Sequence, residues 1–269
     1  MVARIYGWNY SKRYFDRLLW LSSSGWAWEF RRRLPTLLGE SRASRTNRVS
    51  LKRPDGSDLV RLSAPCRLAE RHGLHYLPDP RLSAYETPVF WLPEVMTVNI
   101  DAAAALRDQA THSPEQMLWQ DIPGKKSLLL VPGRRTKLVI TARSYAAQLA
   151  IDKAETPLPL AIYPTLRMQK GPQMLNRLRC LDWFVHHCAG IEFDRAPRRG
   201  FAPLKLRAAL IALDGWLSGA SQREIAAVIF NKEDVDSDWN SHVHSLKSRT
   251  RRLIKKGRDL MQKDYLKLL

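Results

Sequence analysis

The chain reads as an α+β protein: a small N-terminal helical module, a strand-rich middle region and a C-terminal all-α extended-turn helix-turn-helix. Three observations predict this. Residues 1–40 are dense in aromatics at helical spacing, and the pattern from 48 to 165 shifts toward period two. Residues 208–265 then return to period 3.6, with capping signals and a one-sided run of cations. The expected domains are 1–40, 48–165 and 166–269.

In the N-terminal module, Tyr14, Leu18 and Leu21 share a helix face. Gly25 separates this helix from a second short one that ends at Arg31, Arg32 and Arg33, and Pro35 stops it. Trp8, Tyr10, Tyr14, Phe15, Trp20, Trp26, Trp28 and Phe30 are too many rings for so short a module to bury alone. Trp20, Trp26, Trp28 and Phe30 are therefore expected to form a docking surface for another domain or chain, since aromatics dominate interface energetics. The three arginines are expected either to touch phosphate or to be solvated. Residues 40–47, ESRASRTN, read as a polar linker.

The middle region is expected to form strands at 88–92, 95–100, 127–131 and 137–141, with further strands at 146–151 and 158–163. Pro132-Gly133-Arg134-Arg135 reads as the hairpin turn between the third and fourth. A helix is expected from about Leu166 to His187, with Leu175, Leu178, Leu181, Val185 and Cys188 on its apolar face.

The C-terminal segment carries the chemistry. Gly219-Ala220 is a turn signal, and Ser221-Gln222-Arg223-Glu224 fits a capping box. Ile225, Ala226, Ile229 and Phe230 then make an apolar stripe, with small residues that allow close packing on the helix from Leu206 to Leu217. The segment NKEDVDSD at 231–238 reads as a turn several residues longer than usual, with Asp236 or Ser237 as N-cap of a third helix.

At about 100° per residue, Trp239, Val243, Leu246, Thr250, Leu253, Ile254, Leu260 and Met261 fall in one sector roughly 120° wide. The opposite sector holds Ser241, His244, Ser248, Arg251, Arg252 and Lys255, with Lys247 and Arg258 on its flank. Basic and short polar residues on one face suit a helix in the DNA major groove. Charged helix faces are commonly just solvated. Here residues 247–267 carry nine Lys or Arg against two Asp, whereas 198–238 is balanced at six against six. The expected DNA-binding residues are Ser221, Gln222, Arg223, His244, Lys247, Ser248, Arg249, Arg251, Arg252 and Lys255.

The whole chain agrees. It has 269 residues, a formal net charge of +18 and an isoelectric point near 10.2, which calls for an anionic partner. No apolar run approaches the roughly 18 residues needed to span a bilayer, and the N-terminus lacks a signal-peptide apolar region, so a cytoplasmic, nucleoid-associated protein is expected. Cys66, Cys180 and Cys188 do not form a disulfide framework.

No cofactor or metal is expected. Cys180, His186, His187 and Cys188 lack zinc-ligand spacing, and Asp234-x-Asp236-x-Asp238 lacks the glycine and glutamate of a calcium loop. The P-loop ending Gly124-Lys125-Lys126-Ser127 has Trp119 at the first glycine position. Tyr265 has no Arg-His-x-x-Arg pattern before it that would suit a recombinase. No enzyme is expected.

The string Gly219-Ala-Ser-Gln-Arg-Glu-Ile-Ala226, then Asp238-Trp239, Ser245-Leu-Lys-Ser-Arg-Thr-Arg-Arg-Leu253 and Gly257…Leu260-Met261…Tyr265…Leu268-Leu269 resembles the domain of unknown function 2285. That family is an extended-turn helix-turn-helix of proteobacterial mobile elements. Val89-Phe-Trp-Leu-Pro-Glu94 resembles its upstream portion, and Trp20…Gly25-Trp-Ala-Trp-Glu-Phe30 resembles the domain of unknown function 6499, which precedes it in FseA-type activators.

The resemblance implies an activator of excision and transfer genes in integrative and conjugative elements. Its implied partners are double-stranded promoter DNA, RNA polymerase and a small acidic antiactivator that occupies the N-terminal module; no membrane is implied. The competing expectation is an architectural recombination directionality factor that bends attachment-site DNA.

Overall fold

The computed structural model describes residues 12–96, 99–106, 117–134, 136–142, 145–152, 160–165, 173–191, 203–239 and 246–269. Two compact units emerge. One joins Met1–Gly39, Asp79–Glu86 and Gly200–Leu268; the other holds Glu40–Pro78 and Thr87–Arg199. The mixed α+β class expected from the sequence is what the chain adopts.

The second unit is built on one seven-stranded sheet and also holds the short helix α4 (Arg67–Glu70). Its strands are β1 (Arg48–Lys52), β2 (Asp58–Leu62), β3 (Asn99–Leu106), β4 (Lys125–Leu130), β5 (Thr136–Ala142), β6 (Tyr145–Asp152) and β7 (Leu160–Thr165), in the order β1-β2-β4-β5-β6-β3-β7. Neighbours run antiparallel except β2 with β4 and β3 with β6. The β4–β5 hairpin pairs Leu128 with Leu138 across the turn expected at 132–135, where Gly133 has φ 67°.

Successive strand residues face opposite sides. Leu128, Leu138 and Ile140 therefore join one core, with Trp183 and Phe184 of α5 (Gln173–Cys188), while Leu129 and Val139 join another with Val60, Tyr76 and Phe90. Burial on both faces explains why β5 is apolar along most of its length.

Several sequence expectations for this unit are corrected. Residues 40–47 are not a linker: α3 (Leu37–Ala43) and a 3-10 turn occupy them, and buried Ser41 donates to the Pro78 carbonyl at 3.0 Å. Residues 88–92 form no strand. Prolines bound the segment, and the Gln148 side chain holds it instead, donating to the Trp91 carbonyl at 2.8 Å and accepting from the Trp91 amide at 3.2 Å. The strand expected at 95–100 begins at Asn99, and 97–98 lie outside the described residues.

The buried face of α5 is Cys180, Trp183 and Phe184. Leu175, Leu178 and Val185, expected inward, are exposed. Among the described residues, no group of three or more His, Cys, Asp or Glu could hold a metal ion, and no helix is long and apolar enough to cross a membrane.

The first unit is helical: α1 (Lys12–Leu18), α2 (Ser23–Arg31), α6 (Pro203–Leu217), α7 (Gln222–Phe230), α8 (Lys232–Asp238) and α9 (Leu246–Gln262). Gly25 does not divide two helices. It lies inside α2, and its amide donates to the Oγ of the N-cap Ser22 at 3.1 Å. Phe15, Leu18, Trp26 and Phe30 share one core with Leu206, Leu210 and Leu213 of α6 and with Leu260 and Met261 of α9.

Arg31, Arg32 and Arg33 are neither solvated nor available to phosphate; all three are buried. Arg33 grips Asp214 in a bidentate pair at 2.5 and 2.8 Å, and its Nη1 reaches Glu29 at 3.0 Å. Arg32 donates to Glu29 at 2.7 Å and to the Pro80 carbonyl at 2.9 Å. Burial works against charge here, yet the Asp214 carboxylate holds the Arg33 guanidinium well above its ordinary value. Glu29 is likewise buried, and Arg32 and Arg33 bring its carboxyl below the usual range despite that burial.

Candidate nucleic-acid interface

Helices α6, α7 and α9 pack through small, local apolar clusters. Ala212, Ile225 and Ile254 contribute one residue each from the three helices. Ala226, Val235 and Leu246 make a second cluster, which pins α8 between its neighbours. The capping box at Ser221 is formed: its Oγ accepts from the Glu224 amide at 3.3 Å, and the Glu224 carboxylate accepts from the Ser221 amide at 2.7 Å. Those hydrogen bonds hold the exposed Glu224 carboxyl below its ordinary range.

The expected extended turn differs in form. Asn231, at φ 77°, ends α7, and the next seven residues make α8. Its first turn carries Glu233 and Asp234, which suit the positive end of that helix's own dipole. Asp236 and Ser237 therefore lie within α8 and do not cap the third helix. α9 starts at Leu246 among the described residues.

α9 divides cleanly. Leu246, Thr250, Ile254, Gly257, Leu260 and Met261 are buried, while Lys247, Arg249, Arg251, Arg252, Lys255, Lys256 and Arg258 are exposed. Gly257 marks a close approach to α6. A Cβ there would lie 2.6 Å from the Ala209 carbonyl oxygen and 2.9 Å from Leu213 Cβ. The buried face of α9 is thus seated closely on α6, which leaves the basic face outward.

That face is electrostatically costly. Lys247 and Arg251, Arg251 and Lys255, and Arg252 and Lys256 are like-charged neighbours at four-residue spacing. Such pairs destabilise an isolated helix. Asp259 is the helix's one acid. A merely solvated face has no need of this repulsion, whereas a phosphate-binding face relieves it on binding.

The expected contact residues fall as follows. Lys247, Arg249, Arg251, Arg252 and Lys255 share the outer side of α9, with Ser248 half-buried among them. Ser221, Gln222 and Arg223 lie exposed at the start of α7. Arg223 pairs with Asp236 of α8 at 2.8 Å, so a phosphate must compete for it. His244 lies outside the described residues.

Of the aromatics expected to dock a partner, Trp26, Trp28 and Phe30 are fully buried within this unit, whereas Trp20 is 58% exposed. Reaching the first three from outside requires opening the unit. Lys256 and Arg258 were not among the expected contacts. Arg258 packs its guanidinium 4.5 Å from the Trp216 ring centroid, a pairing across distant sequence that no local pattern announces.

In a comparison with curated proteins, none matches the chain. Residues 167–269, which include α5 to α9, match the family model RovC_DNA-bd, described as "T6SS, Transcription factor, DNA binding domain". This similarity, falling on the segment whose exposed helix face is almost wholly cationic, supports a DNA-binding transcription factor.

Proposed function

We propose that the chain activates transcription by laying α9 in the major groove of promoter DNA. The observation that carries this reading is the division of α9 into a buried apolar face and an exposed face of seven cations with one acid. An α-helix with its side chains is about 10–12 Å across and the major groove about 12 Å wide, so the exposed face can approach base edges while its flanks meet phosphates. Arg251, Arg252, Lys255 and Ser248 are assigned to the groove, with Lys247 and Arg249 as phosphate contacts. Ser221, Gln222 and Arg223 present the N-terminus of α7 to a further phosphate.

The genes controlled are proposed to be those for excision and conjugative transfer of a mobile element, on the resemblance to FseA-type activators. Exposed Trp20 is the starting point for contact with RNA polymerase or a small acidic antiactivator. The test is chromatin immunoprecipitation with sequencing of the tagged protein beside an Arg251→Ala/Arg252→Ala variant. A sharp peak upstream of excision or transfer genes that the variant loses is the expected result. Peaks at attachment sites would favour the architectural reading, and absence of enrichment anywhere would overturn DNA binding.

A further inference from the structure

Two arginines on α9 are held by aromatic rings from the helices behind it. Arg249 lies 4.7 Å from the centroid of Phe230 at the end of α7, and Arg258 lies 4.5 Å from Trp216 near the end of α6. Nine residues separate them, which at about 100° and 1.5 Å per residue is half a turn around α9 and about 14 Å along it. They therefore occupy opposite flanks of the helix. Ser248, Arg252 and Lys255 fall in the sector between them, and Thr250 and Gly257 lie opposite that sector, buried.

Both guanidinium groups are on exposed residues, and neither forms an ion pair with a carboxylate among the described residues. A ring against the flat face of a guanidinium leaves its N–H edge free, and that edge is what binds a phosphate in bidentate fashion. The ring also fixes a side chain that otherwise loses rotamer freedom on binding. Helix and groove are of similar width, so two flanks of one inserted helix face the two sugar-phosphate walls.

We infer that Arg249 and Arg258 are a pair of phosphate clamps, one for each DNA strand, and that Phe230 and Trp216 are the positioning residues that set them. The inference rests on the assignment of α9 to the groove and adds Arg258, Trp216 and Phe230 to it. The clamps fix the depth and register of α9 without reading sequence, which is left to the residues between them.

The experiment is fluorescence anisotropy of the full chain on a mixed-sequence 30-base-pair duplex, across salt from about 50 to 200 mM, with melting temperature checked for every variant. Arg249→Ala and Arg258→Ala should each lower the slope of log affinity against log salt by about one. Trp216→Leu should weaken binding by about two- to fivefold, Trp216→Phe should restore it, and Trp216→Leu should have no effect in an Arg258→Ala background.

A ring that is merely structural would weaken binding in both backgrounds, and that result overturns the positioning role. Wild-type slopes in both arginine variants overturn the clamps, while loss of binding in the Arg251→Ala/Arg252→Ala variant leaves α9 as the DNA-binding helix. Absence of wild-type binding to any duplex overturns both.

Discussion

Arg31 donates to the backbone carbonyl of Gln262 at 2.8 Å, and the same nitrogen reaches the Met261 carbonyl at 3.1 Å. Its guanidinium also lies 4.9 Å from the Tyr265 ring centroid. The last carbonyls of a helix have no partner within it. Here a side chain from α2 supplies one, so the N-terminal module caps the C-terminal end of the basic helix.

Arg31→Ala strands those two carbonyls and is expected to cost about 1–3 kcal/mol of stability. Amide hydrogen exchange should quicken across 258–265 while the amides of α7 keep their protection. Equal acceleration in both places would mean that Arg31 supports the whole unit rather than the end of α9.

Asp214→Ala leaves the Arg33 guanidinium buried without its main counter-charge. Breaking a buried ion pair from one side costs about 3–5 kcal/mol. Urea unfolding should show that loss, and Arg33→Met combined with Asp214→Leu should recover part of it. If the single variant unfolds within about 1 kcal/mol of wild type, the pair contributes little.

Gly257→Ala puts a methyl group against the backbone of α6, 2.6 Å from the Ala209 oxygen. The expected cost is about 1–3 kcal/mol, together with weaker duplex binding as α9 is pushed off its seat. Gly39 has nothing within 4 Å of a Cβ. Gly39→Ala in α3 should therefore leave binding alone and raise the melting temperature slightly.

His75 is buried in the sheet unit, and that burial, with Lys137 and Arg134 nearby, lowers its pKa to about 3. An imidazole in the unfolded chain titrates near 6.5. The folded value is the lower one, so this group's contribution is complete above about pH 6.5 and declines as pH falls toward 3. The decline is about 1.4 kcal/mol per pH unit within that window. Urea midpoints at about pH 7.5 and 4.5 should converge in His75→Phe relative to wild type; parallel losses in both proteins would exclude His75 as the cause.

Local chemistry was the legible part of this sequence. The Ser221 capping box lies within four residues, and the β4–β5 hairpin follows from a turn between two apolar runs. A second hairpin, β1 to β2, has an equally local signal in Pro54-Asp55-Gly56, with Gly56 at φ 79°.

Asp236 and Ser237 lie inside α8, for a capping residue type does not say which helix it caps. The φ of 77° at Asn231 ends α7 there, and Asn is one of the few residue types apart from Gly in which a positive φ recurs. Arg31 to Arg33 were illegible for a different reason. Arg33 meets Asp214 181 positions away, and Arg31 meets Gln262 231 away, so a basic tripeptide that looks like surface is core. On α9 the buried and basic faces were readable from the period alone, whereas Arg258 on Trp216 required the fold.

The unit that carries α9 is assembled from segments far apart in the chain, with Phe15, Trp26 and Phe30 sharing one core with Leu206, Leu213 and Met261. During synthesis, Trp26, Phe30 and Arg33 leave the ribosome long before the helices that cover them. At ribosomal rates of about 5–20 residues per second, the 181 positions from Arg33 to Asp214 delay that meeting by roughly 10–35 s. A product terminated before α6 is thus left with Trp26, Phe30 and Arg33 uncovered, because the side chains that bury them lie on α6 and α9.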